Sequence, residues 1–220
     1  MTDKLLERVR EKYTLTELPV GDMSRIKANG MAFNIQAYFA EGLGHVSVMR
    51  ASGFFGLMRM DTLIINPSAV DLPLYSYDRI LAMGNDTLIV ELYDTTLSRF
   101  DESALLSAKN SCPEVAERDP GEHWYDSIKL SSSISKKGKK AATPHLDKLT
   151  EAHFDAYLGS PCESVKDSDG KMEKAKAYVD GLLTRGGPST DVFKKALGEE
   201  RTWALFYNVL FGISTAVLKT

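Results

Sequence analysis

Apolar and polar positions alternate with period two from Met31 to Phe39. There Met31, Phe33, Ile35, Ala37 and Phe39 are interleaved with Asn34, Gln36 and Tyr38, which predicts a half-buried strand. Gly42 and Gly44 mark a turn into a second strand over residues 45–50, and Ala51, Ser52 and Gly53 turn the chain again. Residues 57–97 then organise the rest of the molecule and read as three successive strands. The first covers residues 59–65, with polar Asp61 and Thr62 ahead of Leu63, Ile64 and Ile65; the middle strand carries Asp78; the last spans residues 87–92. Gly84, Asn85 and Asp86 tolerate positive φ and suit the hairpin between the second and third. Connections this short predict an antiparallel meander rather than βαβ crossovers.

Outside this block the period becomes helical. Thr2 reads as the cap of a helix through Leu15, with Leu5, Leu6, Val9 and Tyr13 on one side, and residues 18–22 break it. Residues 98–119 read as a weak helix around Ala104, Leu105 and Leu106 followed by loop. Residues 128–134 suit one more strand, which ends at the lysine cluster Lys136, Lys137, Lys139 and Lys140. Thr143 as cap, with Pro144 in the first turn, opens a helix bearing Leu146, Leu149, Phe154, Tyr157 and Leu158. Further helices are expected over residues 171–183, from Ser189 or Thr190 to Gly198, and over residues 199–218. Strands first and helices afterwards give an α+β ordering, with helices layered on an antiparallel sheet in a single domain over residues 1–220.

Composition narrows the function classes. A length of 220 residues with 43% hydrophobic residues supports one full-sized core. A net charge of −3 argues against a nucleic-acid protein. No run of 18 apolar residues occurs, and Met1-Thr2-Asp3-Lys4 lacks the basic-then-apolar pattern of a signal peptide, so a cytoplasmic protein with no membrane partner is expected. Cys112 and Cys162 have no second ligand at metal spacing and read as free thiols. His145 and His153 lie too far apart on one helix to share a metal and read as solvated or capping residues. No dinucleotide fingerprint, P-loop, nucleophile elbow or HExxH motif is present. Asp78 is left, by spacing alone, between a solvent-facing strand aspartate and a functional carboxylate.

Three stretches together resemble the ferredoxin-dependent bilin reductases. They are residues 64–67, 71–78 and 93–97 around Asp78; His123, Trp124, Tyr125 and Asp126; and residues 192–200 followed by Tyr207, Asn208, Val209, Leu210 and Phe211. The resemblance covers about two-thirds of the chain in the family's order. It implies a three-layer α/β/α sandwich with a central antiparallel sheet flanked by helices, and a linear tetrapyrrole bound between sheet and C-terminal helices. It also implies no bound metal or flavin, reduced ferredoxin as the external donor of single electrons, acidic side chains as proton donors to a bilin radical, and a monomer.

Asp78 matches the family's central aspartate. A carboxyl group in an apolar pocket keeps its proton near neutral pH, and a protonated tetrapyrrole is easier to reduce. The family's glutamate and histidine on the preceding strands fall near Arg50 and at Thr62, and a second aspartate falls on the turn at residues 186–188, so these partners are replaced. A single catalytic carboxylate suggests one two-electron reduction, with Asp61 as a candidate second donor. Thr62, Arg50, Arg59 and Arg79 are the candidate substrate-binding residues, the arginines as partners for propionates. The lysine cluster reads either as a solvated loop or as a docking patch for acidic ferredoxin. Biliverdin IXα is the foremost expected substrate; another open-chain tetrapyrrole, or a bilin carrier without catalysis, are the alternatives.

Overall fold

The computed structural model describes residues 1–187 and 189–214. Eight described strands form one antiparallel sheet: β1 (Leu15–Leu18), β2 (Arg25–Ala28), β3 (Met31–Ala40), β4 (Gly44–Gly53), β5 (Met58–Pro67), β6 (Leu74–Ala82), β7 (Asn85–Tyr93) and β8 (Ile134–Lys139). Their order is β1-β3-β4-β5-β6-β7-β8, and β2 also pairs with β3. β1 takes residues 37–40 of β3 and β2 takes residues 31–34, so two short strands share one edge.

Helices cover both faces. α1 (Thr2–Lys12), α2 (Ser103–Asn110) and α3 (Thr143–Gly159) lie on one side, where Leu5, Val9, Leu149 and Phe154 pack against Val46, Val48, Leu63, Tyr75 and Tyr77. α4 (Ser168–Arg185), α5 (Thr190–Leu197), α6 (Glu199–Ala204) and a π-helical turn (Leu205–Leu210) lie on the other, packing Tyr178, Leu182, Phe193 and Phe206 on Ile35, Met49, Ile64 and Tyr93. This is the expected three-layer arrangement. Two cores result, because alternate side chains of each central strand are buried on opposite sides.

Several local expectations are corrected. The first helix stops at Lys12, Thr2 is its first helical residue rather than its cap, and Leu15 opens β1. β1 and β2 escape notice because four-residue edge strands carry too few positions to show a period. The β4–β5 turn sits at residues 54–56, not 51–53, and the β6–β7 turn sits at Met83 and Gly84, with φ of 49° and 75°. Positive φ at both turn residues matches the twist of the flanking strands.

β8 lies later than the expected residues 128–134. It runs through the lysines because Lys136 turns inward, donating to the Val115 carbonyl at 2.9 Å and pairing with Glu117 at 2.8 Å. Thr143 does not cap α3 but donates from Oγ1 to Asp86. His153, expected at the surface, is buried and bonds through Nε2 to the Ser132 carbonyl at 3.0 Å. The helix expected over residues 199–218 gives way to the π turn and ends at Leu210, while residues 215–218 lie outside the described residues.

The physical reason for that ending is competition for carbonyls. A π turn weakens the regular ladder at its end. Here the freed carbonyls of Val209, Leu210 and Phe211 accept from His45 Nε2 at 2.8 Å, Ser47 Oγ at 2.7 Å and Asn66 Nδ2 at 2.7 Å. All three donors are buried on β4 and β5, so the C-terminal segment is pinned to the sheet. Burial holds the His45 imidazole down to a pKa of about 4, which keeps it neutral as a single hydrogen-bond donor.

Candidate active site

Register decides which side chains share a face. Met49 on β4 stands opposite Thr62 on β5, Thr62 opposite Asp78 on β6, and Asp78 opposite Ile89 on β7. The neighbouring row on the same face reads Ser47, Ile64, Ser76 and Glu91. A cleft lies between these rows and the C-terminal helices, lined by Thr62, Ser76, Asp78, Glu91 and Tyr93 from the sheet and by Tyr178, Thr190, Phe193, Phe206 and Leu210 above it. It encloses about 550 Å³ of atom-free space, part of it continuous with solvent.

Asp78 sits on the floor of this cleft. Its Oδ1 accepts a 2.5 Å hydrogen bond from Thr62 Oγ1, which fixes the carboxyl group and leaves Oδ2 for a ligand. Burial pushes its pKa up to about 6; the Thr62 bond opposes this and the like charge of Glu91 adds to it. Asp78 therefore holds or releases a proton close to neutral pH, as an acid catalyst requires.

Glu91 is the site residue that sequence reasoning missed. Its Oε2 accepts from the Tyr93 hydroxyl at 2.6 Å, and Lys129 Nζ lies 3.9 Å from Oε1. Tyr93 in turn packs at a tilt on Tyr178, with ring centroids 4.0 Å apart, and meets Tyr125 edge-on at 5.5 Å. Desolvation raises all three phenols, so they stay protonated as hydrogen-bond donors. The signal for Glu91 was the hairpin: once the turn is set at Met83 and Gly84, Asp78 and Glu91 must fall on one face.

The other nominated residues lie across the sheet. Asp61 pairs with Arg50 on β4 and Arg79 on β6, and this row has the opposite parity to Thr62 and Asp78. Arg50 bonds Gln36 and Asp3 of α1; Arg79 is held by Asp86 and by Asp147 of α3; Asp61 lies 3.5 Å from the N-terminal amine. Arg59 shares their parity and is exposed. Of the nominated set, the cleft brings together Asp78 and Thr62, and no lysine or arginine is among the lining residues described.

The upper wall carries a different polar group. Thr190, the first residue of α5, has a buried Oγ1 with no hydrogen-bond partner among the described residues. The helices above are held in place by Trp124, whose indole donates to the Gly186 carbonyl at 2.9 Å and lies over Gly181 of α4, where a Cβ would come within 2.1 Å of the ring. The tryptophan thus fixes how far α4 stands from the sheet. Among the described residues no cluster of histidine, cysteine and carboxylate side chains suits a metal.

No protein-family model and no curated protein matches this sequence. Among solved structures, phytochromobilin synthase from tomato, crystallised in complex with biliverdin, is similar over 97% of this chain and 82% of that chain, with a TM-score of 0.76 at 14% identity. The two chains share a fold. The likeness extends from the sheet through the helices of both layers, and so includes the elements that form the cleft.

Proposed function

We propose that this chain reduces a linear tetrapyrrole, biliverdin IXα foremost, with electrons taken one at a time from reduced ferredoxin. The observation that carries the reading is Asp78, a carboxyl group poised near neutrality on the floor of a largely apolar cleft, in a fold shared with a protein solved around biliverdin. Two electrons and two protons convert one double bond of the substrate to a single bond. Asp78 gives the first proton, through the oxygen that Thr62 leaves free, and so makes the bilin a better electron acceptor. Because the cleft is partly open, Asp78 regains a proton from solvent and supplies the second.

Met49 and Thr62 stand beside Asp78 on β4 and β5, and the other acid of the cleft, Glu91, is engaged by the Tyr93 hydroxyl and Lys129; one free acid favours a two-electron over a four-electron reduction. The apolar wall takes the conjugated skeleton, and the hydroxyls of Thr190 and Ser76 are the polar groups available to its edge. Ferredoxin acts as an external partner on a monomeric protein in this reading.

An anaerobic absorbance time course with biliverdin, reduced ferredoxin and the protein tests it. Loss of the biliverdin band and growth of a blue-shifted product, of mass two hydrogens greater, is expected. A spectral shift on mixing with no later change overturns the reductase and leaves a bilin carrier; a product four hydrogens heavier overturns the two-electron step.

A further inference from the structure

Of the five exposed large hydrophobic side chains described, four stand together at one end of the sheet: Phe54, Phe55 and Leu57 in the β4–β5 connection and Met83 in the β6–β7 turn. Phe55 is fully exposed, Met83 is 90% exposed and Leu57 69%. Pairing of Met58 with Ala82 places the two connections side by side. Isolated exposed apolar residues are ordinary, but a cluster of this kind marks a surface that meets something.

The backbone holds the cluster outward at a cost. Phe54 and Phe55 have φ of 52° and 56°, a left-handed conformation that bulky residues rarely adopt. The Phe54 ring lies against Gly30 in the β2–β3 turn, which braces the connection and leaves Phe55 at its tip. Strain of this sort persists where the projecting side chain has a use.

Cations stand around the cluster, with Glu117, which pairs with Lys136, as an exposed carboxylate farther along β8. Lys27 at the end of β2, Arg59 at the start of β5, Lys137 and Lys139 on β8, and Lys140 just after it are all exposed. The carboxylate at this end of β7, Asp86, is buried against Arg79. A chain with net charge −3 thus presents a cationic rim around apolar tips.

We infer that this end of the molecule docks on the surface of an anionic lipid bilayer. Phe55, Leu57 and Met83 enter the boundary between headgroups and acyl chains, and the rim faces anionic headgroups. The apolar groups project from hairpin tips, a shape that a fluid bilayer can close around. Among the described residues no helix is long and apolar enough to cross a membrane, so the contact lies on the bilayer.

Cosedimentation with vesicles tests this independently of any bilin chemistry. The protein is expected to pellet with phosphatidylcholine vesicles in which about a third of the lipid is phosphatidylserine, to pellet less as salt is raised, and to stay in solution with phosphatidylcholine alone. Phe55→Ser/Leu57→Ser/Met83→Ser and, separately, Lys139→Glu/Lys140→Glu should each lower partitioning about tenfold or more, with circular dichroism unchanged. No pelleting with anionic vesicles, or pelleting that neither variant reduces, overturns the proposal. Loss of ferredoxin binding or of self-association in these variants, without vesicle binding by the unaltered protein, assigns the surface to a protein and overturns it equally.

Discussion

The two faces of the sheet both carry ionisable side chains and treat them in opposite ways. On the α1/α3 face every carboxylate and guanidinium near the centre is matched: Arg79 with Asp86 and Asp147, Arg50 with Asp3, Asp61 with the N-terminal amine. On the cleft face Asp78 has a hydroxyl for a partner and another carboxylate, Glu91, for a neighbour. Matched charges hold elements together, whereas an acid without a cation in a desolvated place is costly to ionise and is therefore available to exchange a proton. Pairing, more than residue type, separates structural from chemical carboxylates here.

The largest expected effect comes from breaking a match. Arg79 and Asp86 are almost wholly inaccessible, and Asp86 also accepts from Thr143 at the start of α3, so the pair ties β6 and β7 to that helix. Arg79→Met leaves a buried carboxylate without its cation and should cost about 3–5 kcal/mol in urea unfolding. A loss below about 1 kcal/mol would mean that the α1/α3 face does not depend on its charges.

Next comes the unmatched acid. Asp78→Asn keeps the shape and the Thr62 contact but removes the proton, and should lower turnover about 100-fold or more while bilin still binds, as followed by the absorbance assay and a binding titration. Its effect on stability has the opposite sign to that of Arg79→Met. Because the pKa of Asp78 is raised on folding, from 3.8 to about 6, the folded protein binds the proton more tightly than the unfolded chain. Stability therefore falls as pH rises through that window and stays lower above it. The asparagine variant escapes this and should be more stable at pH 7.5 by on the order of 2–3 kcal/mol, with no gain below about pH 4. Equal unfolding curves at pH 7.5 would show Asp78 to be solvated.

How much of this was legible beforehand follows from the same contrast. Period two made the strand over residues 31–39 legible, and short connections gave the antiparallel meander; the three-layer sandwich and the choice of Asp78 came from the resemblance to the bilin reductases. The facing of Asp61, Arg50 and Arg79 was equally implicit in their odd-even offset from Thr62 and Asp78, but required the register across four strands, which rests on the exact position of two turns. Local pattern put both turns elsewhere, because Phe54 and Phe55 at the first and Met83 at the second adopt a conformation that sequence assigns to glycine or asparagine. The inward course of Lys136 and the π turn were hidden for another reason. Each is stabilised by partners distant in sequence, the Val115 carbonyl for one and His45, Ser47 and Asn66 for the other.

A smaller effect sharpens the cleft side of the comparison. Glu91 contributes like charge to Asp78, so Glu91→Gln should lower the Asp78 pKa. The acid form is the donor, so activity declines on the alkaline side of that pKa, and the declining limb of the pH–rate profile should move to lower pH in the variant. An unmoved limb would separate the two carboxylates electrostatically.

The smallest effects belong to the residues that were nominated from sequence and lie on the far side. Arg50 bonds Asp3, which is 84% exposed, and surface pairs of this kind contribute about 0–1 kcal/mol. Arg50→Ala should therefore lower stability by less than about 1 kcal/mol and leave turnover and bilin affinity as they were. Asp61→Asn and Arg59→Ala should likewise leave turnover unchanged, since a full thickness of sheet lies between them and Asp78. If any of the three lowered turnover as far as Asp78→Asn does, the sheet would not be the partition it is taken to be, and the proton path would have to pass around its edge.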